Sequence, residues 1–236
     1  MPYRSPDQRA ITPQSKGRFP GFDVLDQVDA WDDVTAGAVL GRLALPGALA
    51  FFTPPEVAVA APLLDLLLAQ DCDPRVPVLA LIDARLAVGE TDGWHYDDLP
   101  EDGQAWRESL GFLDDDAKQA HSRGFAELIS SEQALLIQAV QDLAGDGKSW
   151  HGWPASRVWS LWTRYACTAF YSHPWAWNEI GFPGPAYPRG YLNPGVNSRE
   201  RWEVADQHSV DPVTFSERVE RARQAHDKQL GGGESR

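Results

Sequence analysis

Sulfur is scarce in this 236-residue sequence, which holds two cysteines and one methionine. Two cysteines are too few to build a disulfide scaffold. Cys72 and Cys167 could pair in an oxidising compartment, whereas a cytosolic chain would keep them as buried free thiols. The sequence leaves that choice open. With 43% hydrophobic residues, the composition is that of a soluble globular protein stabilised by its core.

Positive charge and long apolar runs are also in short supply. The net charge of −13 disfavours binding to nucleic acids or to anionic lipid surfaces. The longest apolar run, residues 57–69, contains Pro62 and Asp65 and is too short to span a bilayer. The N-terminal residues hold no signal-peptide core. We therefore expect no direct membrane span, and a chain that is cytoplasmic or exported only with a signal-bearing partner.

Motifs of catalysis and cofactor binding are absent from the sequence as well. The chain has no HExxH or other zinc-type spacing, no Glu-x-x-His pair, no GxSxG elbow and no GxGxxG after a strand. We therefore predict no catalytic, cofactor-binding or metal-binding residue in this chain. His95 beside Asp97 and Asp98 leaves a stand-alone enzyme as an alternative hypothesis.

Helix signals dominate what the sequence does contain. Thr53, Pro54 and Glu56 have the spacing of a capped helix start ahead of an apolar run. Further helices are predicted within 34–45, within 73–90, from Gln104, from Ser130 as N-cap with Gln133 at N3, over 153–173, and over 211–229 on the surface. The helix over 153–173 has Val158, Trp162, Tyr165 and Ala169 on one buried stripe.

These signals predict a mostly α fold, an irregular helical bundle with irregular N- and C-terminal arms. We divide the chain into an extended N-terminal arm (1–50), a helical core with a strap (51–195) and a polar C-terminal tail with a surface helix (196–236).

The strap is residues 173–195, HPWAWNEIGFPGPAYPRGYLNPG. Prolines, glycines and aromatic residues fill 14 of its 23 positions. Because proline fixes φ and donates no backbone hydrogen bond, we expect neither a regular helix nor a central strand here. Its apolar character predicts packing against the preceding aromatic helix or against a partner. His173 is expected to cap the last carbonyl groups of that helix.

The sequence resembles the gluconate 2-dehydrogenase subunit 3 family from about Phe51 to Gly195. GFAELISSEQALLIQAV is similar to the family's F-x-x-L-x-x-x-x-Q helix entry, through Phe125, Leu128 and Gln133. The family's closing pattern is an acidic residue or His before Pro, then Asn and I-G-[FY]-P-G. It falls on His173, Pro174, Asn178, Ile180, Gly181, Phe182, Pro183 and Gly184. Two features depart from the family: there is no twin-arginine signal, and WAWNE replaces the usual Gly-Gly-Asn and Gly-Trp elements.

The resemblance implies a small, non-catalytic subunit. Such subunits bind and help to fold a large FAD-dependent catalytic subunit of the glucose-methanol-choline (GMC) type, which oxidises a sugar or polyol hydroxyl. Some of these complexes also contain a cytochrome c subunit. FAD is then expected in the partner, and no cofactor in this chain.

The strap provides the candidate interface, because aromatic residues are enriched in interface cores. The candidate residues are His173, Trp175, Trp177, Asn178, Phe182, Tyr187 and Tyr191. A carbohydrate-binding protein, suggested by the ten tryptophans, is a further alternative hypothesis.

Overall fold

The fold is mostly α, as the helix signals predict. The structure, a computed structural model, describes residues 10–14, 18–19, 21–44, 47–91, 93, 97–193, 199–204, 220 and 224. The elements in chain order are a 3-10 turn (Val24–Ala30), α1 (Asp33–Gly41), α2 (Pro54–Leu68), α3 (Val78–Ala87), α4 (Asp102–His121), a 3-10 turn (Phe125–Glu127), α5 (Ser130–Gly145), β1 (Ser149–Trp150), β2 (Trp153–Pro154), α6 (Ala155–Tyr171) and α7 (Pro174–Ile180). Of the surface helix predicted over 211–229, only Glu220 and Gln224 are among the described residues.

The chain divides into two compact units. The strap unit comprises Met1–Pro46, Gln70–Pro77 and Thr168–Pro212. The helical unit comprises Gly47–Ala69, Val78–Cys167 and Val213–Arg236.

The helical unit is built around α2, which contacts α3, α4 and α5. The predicted stripe of α6 is confirmed, since Val158, Trp162 and Tyr165 are buried. The largest buried side chains of this unit are Trp106, Trp162, Tyr165, Phe125, Leu63 and Leu64. Tryptophan in this unit therefore serves mainly to fill the interior.

Of the two capped helix starts predicted in this unit, one is confirmed and one is wrong. The Thr53 N–H donates to Glu56 Oε2 at 2.7 Å, as predicted for α2. At α5 the prediction that Ser130 is the N-cap is wrong. Ile129 occupies that position, and its N–H donates to Glu132 Oε2 at 3.2 Å. Gln133 is instead buried and donates to the carbonyl oxygen of Phe125 at 2.9 Å, so it cannot serve the cap.

A buried polar cluster ties α4 to α6. The Tyr165 hydroxyl donates to Asp102 Oδ2 at 2.7 Å, and Arg164 Nη2 lies 3.6 Å from the same oxygen. Burial, reinforced by the hydrogen bond to Asp102, raises the pKa of Tyr165. The phenol therefore stays protonated and acts as a donor, which satisfies a buried carboxylate.

A hairpin between α5 and α6 was not predicted from the sequence. β1 and β2 pair antiparallel with Trp150 opposite Trp153. The two residues of the turn, His151 and Gly152, have φ values of 47° and 86°, as a tight hairpin turn requires. His151 Nε2 lies 2.7 Å from Asp116 Oδ1, which holds the ring in place. The sequence signal for this hairpin was a two-residue turn, His151-Gly152, between two tryptophans.

Candidate partner interface

The strap begins with a helix, which corrects the expectation of a non-helical segment. Pro174–Ile180 form α7. Pro174 stands at the first helical position, where its missing N–H costs nothing. The other described prolines of the strap all follow Gly181, which ends the helix with φ of 67°. The strap is rich in proline as a whole, but residues 175–182 contain none, and this stretch can therefore be helical.

Two side chains of α7 bind the N-terminal segment of the same chain. Asn178 is buried, and its Oδ1 accepts from the Val24 N–H at 2.8 Å. Its Nδ2 donates to the carbonyl oxygen of Ile11 at 3.1 Å. Glu179 is also buried and accepts from the Gln14 N–H at 2.6 Å. The polar groups of α7 therefore order the chain's own backbone.

Trp177 joins α7 to the small hydrophobic core of the strap unit. It packs in a buried cluster with Val24, Trp31 and Val39. Its Nε1 donates to the carbonyl oxygen of Tyr171 at 2.7 Å, so the indole is satisfied where it is buried. The strap thus covers a core that belongs to its own unit.

The His173 side chain caps α7. The helix before it is met by the His173 backbone N–H, which donates to the carbonyl oxygen of Phe170 at 3.1 Å, so the predicted role at that helix C-terminus holds for the backbone and is wrong for the side chain. Its Nδ1 accepts from the Trp175 N–H at 3.2 Å. Burial, and secondarily the positive charge of Arg42, lower the pKa of His173 from 6.5 to about 4. The ring is therefore neutral at pH 7, as an acceptor at a helix N-terminus must be.

We predict that the strap unit loses stability as pH falls from about 6.5 to 4. In that window His173 is protonated in the unfolded chain but not in the folded one. The resulting loss in the free energy of unfolding approaches about 3 kcal/mol below pH 4. His173→Asn keeps a capping acceptor but does not titrate, so this part of the pH dependence should flatten. Thermal unfolding at a series of pH values measures both chains. An unchanged pH profile in His173→Asn would refute the assignment.

The candidate interface residues divide into two groups by burial. His173, Trp177 and Asn178 are buried, and Trp175 is half-buried against the His173 ring. Phe182, Tyr187 and Tyr191 are exposed. The exposed group lies in the second half of the strap, after α7.

Two residues that organise the second half of the strap were missed from the sequence. Arg189 donates from Nη2 to the carbonyl oxygen of Pro185 at 2.8 Å and from Nη1 to Gln27 Oε1 at 3.0 Å. Glu200 is buried and accepts from the backbone N–H groups of Leu192 and Asn193. Arg189 carries a sequence signal, as the only charged residue between Ile180 and Asn193.

The structure also bears on the cysteines, the His95 loop, metal binding and membrane spans considered in the sequence. Cys72 and Cys167 are exposed and not joined to each other, so the structure shows neither of the two alternatives, pairing or burial, that the sequence left open. His95 lies outside the described residues, so the loop of the enzyme hypothesis is only partly seen. The described residues hold no cluster of three or more potential metal ligands. None of the described helices combines the length and apolar character that a bilayer crossing needs.

A protein-family model described as gluconate 2-dehydrogenase subunit 3 matches residues 54–184, more than half of the chain. The match starts with the first residue of α2 and ends in the strap at Gly184. Comparison with curated proteins finds no match, and comparison with solved structures finds none either.

Proposed function

The chain belongs to the gluconate 2-dehydrogenase subunit 3 family, and on that premise we propose that it is a non-catalytic accessory subunit. It binds and stabilises a large FAD-dependent subunit of the GMC type that oxidises a sugar or polyol hydroxyl. If the complex passes its electrons on through haem, it also contains a cytochrome c subunit that accepts them. FAD belongs to the partner in this account.

The distribution of exposed apolar side chains is the observation that supports this proposal. Ten large apolar side chains are exposed among the described residues, and six of them lie between Tyr171 and Leu192. Scattered single apolar residues are normal on a protein surface, whereas a concentration of them is typical of a protein interface. The concentration falls in and next to the strap, whose first half is anchored to its own core.

The carbohydrate-binding alternative finds no support in the tryptophans. Nine of the ten are among the described residues, and each of the nine is buried or half-buried. A sugar-binding platform needs an exposed aromatic face, so these side chains are better explained by packing.

Recovery of a flavoprotein with the full-length chain tests the proposal. We expect the affinity-tagged chain, produced in its own host cells, to co-purify with a larger subunit that shows the visible absorption of oxidised flavin. That absorption should bleach when the oxidisable sugar or polyol is added. A haem Soret band would identify the cytochrome subunit. Recovery of the chain alone, without flavin absorption, would refute the proposal.

A further inference from the structure

The aromatic loop, residues 187–192 (YPRGYL), carries the most exposed apolar side chains of the described strap. Tyr187, Tyr191 and Leu192 are 66%, 61% and 80% exposed. Large aromatic side chains of this kind often dominate binding energy when a partner desolvates them. The backbone and the charge of this loop show what kind of partner it fits.

Arg189 fixes the backbone of the aromatic loop from within. Its Nη2 donates to the carbonyl oxygens of Pro183 and Pro185 at 3.2 and 2.8 Å. Its guanidinium carbon lies 4.1 Å from the centroid of the Trp202 ring and 5.7 Å from that of Trp31. The side chain therefore joins three parts of the strap unit: the strap, the N-terminal segment and the segment around Trp202.

Glu200 fixes the end of the aromatic loop. Its Oε1 accepts from the N–H groups of Leu192 and Asn193, and its Oε2 accepts from Asn193 Nδ2 at 3.1 Å. The exposed side chains thus stand on a backbone that is held at both ends. A segment ordered before binding loses little conformational entropy when it docks.

The aromatic loop offers a partner little available charge. Arg189 is its only charged residue, and the chain itself uses that side chain in hydrogen bonds and ring contacts. What remains for a partner is two phenol hydroxyls on an apolar surface. The complementary surface is therefore apolar and uncharged, with polar groups placed to meet the tyrosine hydroxyls.

We propose, on the basis of the function proposed above, that the aromatic loop is the main anchor on an uncharged apolar face of the flavoprotein subunit. Tyr187, Tyr191 and Leu192 make the contact. Arg189 is a positioning residue, which holds the loop in its docking shape without being the principal contact.

The first test replaces the two exposed tyrosines. The probe is the purified flavoprotein subunit recovered with the wild-type chain. Tyr187→Ser/Tyr191→Ser should raise the Kd at least about tenfold, because both rings lose their burial at the interface. Its thermal unfolding alone should stay close to that of the wild type, because both rings are mostly exposed and the ring contact it removes is the one between Tyr191 and Trp202, whose centroids are 5.1 Å apart. The matched control is Val88→Ser/Ile129→Ser, whose side chains are 77% and 57% exposed in the helical unit. It should bind as the wild type does.

A double-mutant cycle tests the role of Arg189. Arg189→Met should weaken binding in the wild-type chain but weaken it much less in Tyr187→Ser/Tyr191→Ser, because the loop it positions has already lost its contacts. A merely structural role gives additive losses in the two backgrounds. Salt provides a second measurement. The Kd should change less than about threefold between low salt and 1 M NaCl, because little charge is buried in the contact.

Several outcomes would overturn the inference while leaving the proposed function intact. One is a stable complex that binds Tyr187→Ser/Tyr191→Ser as tightly as the wild type, and another is steep weakening of binding by salt. A large drop in the unfolding temperature of the tyrosine variant alone, beyond the loss of the one contact between Tyr191 and Trp202, would show that the chain itself covers the loop. A wild-type dimer that the same variant dissociates would show that the loop binds a second copy. Failure of the wild-type chain to recover any flavoprotein would instead reject the proposed function.

Discussion

Replacing Gly184 by alanine is expected to destabilise the strap unit by about 2–5 kcal/mol. Gly184 has φ of 78°, a conformation that costs alanine about 1–2 kcal/mol. A Cβ at this position would also overlap the Trp31 indole, at 3.0 Å from Cη2 and closer still to Cζ2. Trp31 cannot easily yield, because it is buried and its Nε1 donates to the carbonyl oxygen of Pro185 at 2.9 Å. Domains are stable by only about 5–15 kcal/mol, so this loss is large.

Gly190→Ala is the matched control for that experiment. Gly190 has a similar φ of 66°, but nothing lies within 4 Å of the position its Cβ would take. Only the conformational cost of about 1–2 kcal/mol should therefore appear. Chemical denaturation followed by tryptophan fluorescence measures both variants. Equal stability of the two would contradict the proposed packing of Trp31 on the strap.

Asp83→Ala is expected to destabilise the helical unit by about 3–5 kcal/mol. The buried carboxylate accepts from three backbone N–H groups ahead of α2, those of Ala50 at 2.7 Å, Phe51 at 3.0 Å and Phe52 at 2.8 Å. Alanine would leave these donors without their charged acceptor. Asp83→Asn should lose less, because its remaining oxygen can still accept.

Asp73→Ala is the control for the loss of a carboxylate. The Asp73 side chain is 89% exposed and lies 3.4 Å from Arg75, an ion pair worth little in water. Its replacement should change the free energy of unfolding by about 0.5 kcal/mol or less. A similar loss in Asp83→Ala and Asp73→Ala, measured by urea denaturation, would contradict the structural role of Asp83.

The helices of this protein could be predicted because their signals are local. The capping residues of α2, and the apolar stripe of α6 through Val158, Trp162 and Tyr165, are set by residues a few positions apart. The errors were also local in origin. The predicted cap at Ser130 was displaced by one residue, and α7 was hidden by prolines that lie beyond its end.

The organisation of the strap could not be predicted, because it rests on contacts between distant parts of the chain. Asn178 binds the backbone of Val24, 154 residues away, and Arg189 binds Gln27, 162 residues away. Nothing in the local pattern around either residue indicates its partner. The strap was identified as apolar and as resembling the family, but its division into an anchored half and an exposed half emerged only from the structure.

The yield of FAD-loaded flavoprotein, measured with and without this chain, tests the central claim most directly. The flavoprotein subunit is expressed alone, with the wild-type chain, and with Gly184→Ala, and soluble protein with bound flavin is quantified by its visible absorption. The account predicts a several-fold higher yield with the wild-type chain than without it, and little gain with Gly184→Ala. Equal yields of equally stable, FAD-loaded flavoprotein in all three cases would contradict it.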